Sequence, residues 1–261
     1  MLTDSGGTVA IIQGRMSSSR LPGKILKDIG GEPMVIRVVS RVRRAQTIDR
    51  VVIATTNDPS DDPVETICTN RGIPIYRGSL YDVLDRFYQA AALFGASTVI
   101  RVTADCPLID PVEIDHVVKA FHEQQVDFAA NRLPPPWKRT FPIGLDTEVC
   151  KFEALERAWP EARDAHHREH VMPYLYEIPD RFKVLVLDYP IDYGNLRWTV
   201  DTPEDLDVVR LIYKHFQNRD DFSWLEVLDL YAKQPELARI NDHVSHNPFN
   251  AVDDRARGTK K

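Results

Sequence analysis

Three short runs rich in β-branched residues, Val9–Ile12, Val51–Thr55 and Thr98–Thr103, are separated by stretches with helical spacing. Val35, Val38, Val39 and Val42 share one face of a helix expected over Pro33–Ala45. Val83, Leu84, Phe87, Tyr88 and Ala91 share one face of another, from about Tyr81 to Phe94. A short helix over Pro63–Asn70, stopped near Gly72, leads to a brief third strand at Pro74–Tyr76. Asp110-Pro111 opens a further helix, with Asp as cap and Pro at the first helical position. No feature constrains the fold more than this alternation. Parallel strands need crossover connections, so the chain must form an α/β sheet with helices on both faces.

The second half is less regular. Gly144–Phe152, Phe182–Leu187 and Leu196–Val200 read as strands, and Phe152–Ala162 and Arg168–Glu177 as helices. Thr202 caps a helix that runs to about Phe216, with Pro203 at its first position and two acids in its first turn. Ser223–Lys233 is the last helix, and Pro134–Pro136 marks a stiff exposed loop. No repeat or flexible linker interrupts the pattern. One domain is expected over residues 1–250, with 125–150 as a dimer arm or an acceptor-side insertion and 251–261 as a flexible tail.

The composition is that of a soluble globular protein: 261 residues, 28% charged and 43% hydrophobic, with a net charge of −6. An acidic balance argues against nucleic-acid binding, which needs a basic face. No apolar stretch approaches the about 18 residues a membrane span requires. The N-terminus lacks the basic and apolar regions of a signal peptide. Cys68, Cys106 and Cys150 are widely spaced and odd in number. They suit a reducing cytoplasm and form neither a disulfide framework nor a zinc knuckle.

Against this acidic background, Gln13-Gly14-Arg15 through Arg20 to Lys24 gathers three cations directly after the first core strand. Ligands of parallel sheets bind outside the carboxyl ends of the strands. Several negative charges on one guest, as in a nucleoside triphosphate, would explain the cluster. Neither a P-loop nor a dinucleotide Gly fingerprint is present. Asp105 follows the strand that ends at Thr103, and Asp201 follows Leu196–Val200. Carboxylates at strand ends can hold a Mg²⁺ whose remaining shell is phosphate oxygen and water.

Other residues read as structural. Asp110 and Asp61-Asp62 are helix caps, and Asp205-Leu206-Asp207 is a solvated helix face. Arg132 is an ordinary surface arginine or a partner for a carboxylate acceptor. Cys106 has no histidine beside it in sequence. His166, His167 and His170 offer one i, i+4 pair, and zinc is not expected there.

Together, Ile11–Lys24, Tyr76–Arg86, Arg101–Asp110, Phe141–Phe152, Arg168–Tyr174, Arg197–Leu206 and Leu237–Asn241 resemble the cytidylyltransferases of the spore-coat polysaccharide (SpsF) type. These are relatives of the synthetases of CMP-activated sialic acid and CMP-activated 3-deoxy-octulosonate. The resemblance covers nearly the whole chain. It implies a three-layer, Rossmann-like nucleotidyltransferase (GT-A-like) fold with a mixed, mostly parallel sheet. It implies that Gln13, Gly14, Arg15, Arg20, Lys24, Arg77, Asp82, Arg86 and Thr103 contact the nucleotide. Arg15, Lys24 and Asp105 would carry catalysis, and Asp105 and Asp201 would hold Mg²⁺. Asp146, Glu148, Glu169, His170 and Arg197 would face the acceptor. A homodimer is implied as well. Gly14 departs from the alanine expected in this group and would only loosen the loop.

The expected reaction moves CMP from CTP to an acidic sugar or related acceptor and releases pyrophosphate. A sugar-1-phosphate nucleotidylyltransferase using UTP, GTP or ATP is the rival enzyme, but its opening loop is richer in glycine. A non-catalytic nucleotide-binding protein on the same scaffold is the rival of another class.

Overall fold

In a computed structural model, residues 6–134 and 137–245 are described. The expected tail at 251–261 and the Pro135-Pro136 part of the expected loop lie outside them. Strand β1 (Gly7–Gln13) leads through a basic loop and a single 3-10 turn (Lys24–Leu26) into the small hairpin β2 (Asp28–Ile29) and β3 (Glu32–Pro33). Helix α1 (Met34–Val42), β4 (Arg50–Thr56), α2 (Asp62–Asn70), β5 (Ile75–Gly78), α3 (Val83–Leu93), β6 (Ala96–Thr103) and α4 (Pro111–Glu123) follow in alternation. Next come β7 (Phe128–Ala130), β8 (Glu148–Lys151), α5 (Phe152–Glu161), α6 (Ala165–His170), α7 (Pro173–Tyr176) and β9 (Val184–Val186). Helices α8 (Pro203–His215), α9 (Trp224–Lys233) and α10 (Glu236–Arg239) complete the described chain.

The seven-stranded sheet has the order β5-β4-β1-β6-β8-β7-β9. Every pairing is parallel except those of β8 with β6 and β7. The sheet is therefore mixed and mostly parallel, as expected. Period-two alternation sorts the core into two layers. Ala10, Ile12, Val51, Ile53, Ile100 and Val102 face one cluster with α1, α2, α4, α8 and α9. Val9, Ile11, Val52, Ala54 and Val99 face the other with α3, α5 and α7.

Caps set several helix starts. Asp110 accepts the N–H groups of Val112 at 2.8 Å and Glu113 at 3.4 Å, and its other oxygen takes the Trp224 N–H at 2.8 Å. Thr202 and Asp205 form a reciprocal capping box on α8.

Three elements differ from the sequence reading. Leu196–Val200 is not a strand; it makes one parallel bridge, Ile143 to Arg197. Gly144, at a φ of +112°, lets this segment close in, since a Cβ there would lie 2.7 Å from Thr199 N. The expected helix Arg168–Glu177 breaks at Val171 into α6 and α7. Strand β7 was hidden because three residues carry no visible periodicity. It and β8 anchor the 125–150 segment in the sheet. The loop between them folds back on itself, with Asn131 Nδ2 donating to Leu145 O at 2.8 Å and Thr147 N donating to Asn131 Oδ1 at 2.9 Å.

Candidate active site at the carboxyl ends of β1 and β6

The loop after β1 is tied down by its neighbours. Gly14 N donates to Ala54 O at 3.3 Å, and Ala104 N donates to Gln13 O at 2.8 Å. The Met16 N–H donates to Asp61 Oδ1 at 2.7 Å. Asp61 is fully buried. It stands at the α2 cap position but makes no side-chain cap bond. Its second oxygen accepts from Thr55 Oγ1 and Thr56 N at 2.9 and 3.0 Å. Asp61 thus fastens the basic loop to the end of β4, a role its place before a helix concealed. A Cβ at Gly14 would lie 2.6 Å from Ala104 Cβ. Glycine here does not loosen the loop; it lets the loop pack on the strand end that carries Asp105.

Lys24 unites the separated motifs. Its ammonium donates to Asp105 Oδ2 at 2.6 Å, Asp201 Oδ1 at 2.8 Å and Val200 O at 2.9 Å. Asp105 and Asp201 are far apart in sequence. Backbone bonds join them: the Asp105 carbonyl accepts from Val200 N at 2.8 Å and from Thr199 Oγ1 at 3.1 Å. Burial alone would lower the Lys24 pKa, but the charges of Asp105 and then Asp201 hold it above the ordinary lysine value. Burial would raise the Asp201 pKa, yet Lys24 first and then Arg20 bring it down to about 2. Arg20 Nη2 lies 2.8 Å from Asp201 Oδ2.

Arg197, expected at the acceptor, is drawn into the same network. Its guanidinium pairs with Asp205 Oδ1 at 2.8 Å and with Asp201 Oδ2 at 2.7 Å. Asp205 is fully buried and also accepts from Asn241 Nδ2 at 2.8 Å. This corrects the solvated-face reading of Asp205-Leu206-Asp207. Only Asp207 is exposed, because Asp205 turns inward to close the capping box and hold Arg197.

The other flank of the loop carries Arg15 and Arg86. Their guanidinium groups donate to the successive carbonyls of Leu80, at 3.4 Å, and Ser79, at 2.6 Å. Arg86 is only 2% exposed. Its Nε has no hydrogen-bond partner among the described residues, and no carboxylate pairs with it there. Burial first, and the like charge of Arg15 second, lower its pKa to about 10. It therefore stays charged near neutrality.

The remaining expected residues are scattered around this centre. Gln13 Oε1 accepts from Arg101 Nε at 2.8 Å, and Arg101 also pairs with Glu148. Thr103 Oγ1 lies 3.1 Å from Cys106 Sγ, and burial pushes the Cys106 thiol pKa up. Asp82 caps α3 through the Asp85 N–H and pairs with Arg168. Asp146 is held by Arg139 through both oxygens, at 2.6 and 3.0 Å. Glu169 and His170 are half-buried on α6, the helix that carries Arg168. Arg77 turns toward α2 instead. It donates to Thr56 O and Asp58 O at 2.8 and 2.9 Å and pairs with Glu65 at 2.6 Å and Asp62 at 2.8 Å. Arg101 links Gln13 to Glu148, a role visible only in the fold.

Residues 9–223 match the family of cytidylyltransferases. The chain is 32% identical to the spore coat polysaccharide biosynthesis protein SpsF of Bacillus subtilis over 235 residues, which covers 87% of this chain and 95% of that protein. It is 36% identical to a 3-deoxy-manno-octulosonate cytidylyltransferase of Neisseria meningitidis over 253 residues, covering 79% of this chain and 98% of the relative. The structure of a cytidylyltransferase from Leptospira borgpetersenii superposes with a TM-score of 0.83 at 31% identity, covering 89% of this chain and 97% of that one.

Proposed function

We propose an acidic sugar as the acceptor of this chain, which belongs to the cytidylyltransferase family and is a CTP-dependent nucleotidyltransferase. An acceptor hydroxyl oxygen attacks the α-phosphorus of CTP. The new P–O bond forms as the bond to pyrophosphate breaks, and the hydroxyl proton leaves to solvent. The observation that carries this reading is the meeting of the basic loop with Asp105 and Asp201 at one sheet edge.

Asp105 and Asp201 fit a Mg²⁺ ion. Each aims an oxygen at one common cation position, and the Lys24 ammonium now stands in for a cation there. Bound between them, the ion would offset the charge on the triphosphate. A metal would compete with Lys24 for the same oxygens; Asp105 and Asp201 would hold the ion, and the Lys24 ammonium would then be free to face the phosphates. Arg15 and Arg86 receive phosphate oxygens on the opposite flank, where a buried guanidinium retains an unused donor. Arg20 and Arg197 keep Asp201 ionised and oriented.

The acceptor class is supported by the named substrate of the Neisseria relative. Cytoplasmic residence and homodimer assembly belong to the same reading. Three buried free cysteines support the first. An exposed Ile178 beside Trp137, Phe182 and Val184 at the β9 edge supports the second. Among the described residues, no helix is long and apolar enough to cross a membrane.

The test is pyrophosphate release from CTP and Mg²⁺ across a panel of keto-acid sugars, with 3-deoxy-manno-octulosonate among them. Release with at least one acidic sugar, and none when UTP, GTP or ATP replaces CTP, is expected. Release only with sugar 1-phosphates would overturn the acceptor. CTP binding without release for any acceptor would leave a binding protein.

A further inference from the structure

The helix pair α6–α7 carries side chains that the nucleotide site does not use. Helix α6 ends at Val171, with a φ of 71° and a ψ of −59°. A β-branched residue rarely adopts this backbone region. Met172 N donates to His170 O at 2.9 Å, so Val171 is the centre of a three-residue γ-turn of the strained hand. Such strain persists only where the surroundings over-determine the chain. Here Val171 is fully buried. The turn redirects the chain through α7, and Glu177 meets the histidines of α6.

The meeting is close. His166 Nε2 lies 3.0 Å and His167 Nε2 2.7 Å from the same Glu177 oxygen. Behind His167, Asp164 Oδ2 lies 3.7 Å from Nδ1. Asp164 occupies the N-cap position of α6 without making a side-chain cap bond. Its carboxylate faces an imidazole instead of the helix end. Asp164, His166 and His167 each bring a donor atom within 4.8 Å of the others. Two imidazoles with carboxylates form the donor set of a borderline transition metal, whereas Mg²⁺ prefers oxygen alone. A carboxylate behind a ligating imidazole is the usual supporting contact. At metal–ligand distances of about 2.0–2.2 Å, tetrahedral neighbours stand about 3.3 Å apart. The imidazoles need to draw back from Glu177 by only a few tenths of an ångström.

We propose that His166, His167 and Glu177 hold a Zn²⁺-class metal ion, with Asp164 as the supporting carboxylate behind His167, separate from the carboxylate pair Asp105 and Asp201. The site staples α6 to α7. Arg168 follows the two histidines, and its Nε donates to Asp82 Oδ2 at 3.1 Å. Asp82 caps α3, the helix that carries Arg86. Fixing α6 therefore fixes the wall of the nucleotide site from behind. Sequence spacing singled out His166 with His170. The fold instead brings together two adjacent histidines and acids from either end of the helix pair.

The test is a Co²⁺ titration of the chelator-stripped full chain, followed by visible absorption, with Zn²⁺ as competitor. One saturable site per chain is expected, with Zn²⁺ displacing Co²⁺ and raising the midpoint of thermal unfolding. Glu177→Gln and His166→Gln should each weaken binding at least about tenfold. Glu177→Gln keeps the shape of the side chain, so a folding failure in a bolder variant would not decide the matter. Asp105→Asn should leave the Co²⁺ titration unchanged. That result separates this site from the nucleotide site, and the CTP assay stands or falls independently. Absence of saturable Co²⁺ binding would overturn the proposal. So would wild-type titrations in both the Glu177 and His166 variants.

Discussion

Lys24 and Arg86 flank the same loop, and their exposures are only 8% and 2%. Lys24 meets two carboxylates and a carbonyl, so every donor is used. Arg86 meets one carbonyl, a like-charged neighbour and no carboxylate among the described residues. The chain does not treat buried arginines this way everywhere. Arg41, fully buried, donates to the carbonyls of Ile109, Asp220 and Phe222 at 2.7–3.0 Å and lies over the Phe222 ring. The contrast teaches that the two flanks are prepared for opposite guests. At Lys24 a cation already fills a place between acids, and another cation can take it. At Arg86 positive charge is held out of water with no carboxylate in direct contact among the described residues, Asp61 and Asp82 acting only at a distance, and part of that cost is recovered when an anion arrives.

Replacing Lys24 tests the first flank and carries the largest expected effect. Lys24→Met removes the cation that Asp105 and Asp201 share, leaving the half-buried Asp105 without its ammonium partner. Unfolding should cost about 2–3 kcal/mol less, below the value for a fully buried pair because the Asp105 side chain keeps 23% of its exposure. The same variant should bind Mn²⁺ at least about tenfold more tightly without nucleotide, since the competitor is gone. Denaturant unfolding and Mn²⁺ paramagnetic resonance check the two outcomes. Unchanged metal affinity would end the competition argument.

Arg86→Met is the mirror experiment. CTP affinity should fall by about 10- to 100-fold, the worth of a charge-assisted hydrogen bond of about 1.5–3 kcal/mol. The free protein should be about as stable as the parent, because a buried charge with no contacting carboxylate is exchanged for an apolar side chain. Calorimetric CTP titration and thermal unfolding read these separately. A large loss of stability with intact CTP binding would show that Arg86 is structural.

Acid sharpens the first flank further. The Asp201 pKa is held at about 2 in the folded chain, against about 3.9 for an unfolded aspartate. A carboxylate whose folded pKa is lowered contributes stability that is present in full above the unfolded value. That contribution is lost as pH falls toward the folded pKa. Stability should therefore decline between about pH 4 and pH 2, and the Asp201→Asn variant should decline less steeply over that window. Equal slopes for the two proteins would remove Asp201 from the acid transition.

Much of this fold was legible because its first half is built from long elements with clean periods. Val9–Ile12 and Thr98–Thr103 bury residues on both faces, and their strand character survives any tertiary context. The losses came where tertiary contact decides. Strand β7 has three residues, and Leu196–Val200 takes an extended path only because Gly144 and Asp105 receive it. At the site, charge clusters marked loops that the fold brings together, but not the partner of each charge. Lys24 was expected on phosphate and sits between carboxylates. Asp205 was expected in water and is a buried anchor, since the pairing of Arg197 with Asp205 is decided by how the segment folds and not by sequence spacing.

Arg77 supplies the smallest expected effect and the sharpest control for that distinction. Sequence placed it with Arg86 in one nucleotide-binding segment. In the fold, its guanidinium is used up by the carbonyls of Thr56 and Asp58 and by the acids at the start of α2. Glu65 and Asp62 are well exposed, with side-chain exposures of 47% and 62%, so these ion pairs are weak. Arg77→Gln should lower stability by about 1 kcal/mol, through the lost carbonyl bonds, and change CTP affinity less than about twofold. Parallel CTP titrations of Arg77→Gln and Arg86→Met check this. If both lose affinity alike, nucleotide binding depends on the whole Arg77–Arg86 segment, and the contrast between a satisfied and an unsatisfied arginine does not predict function.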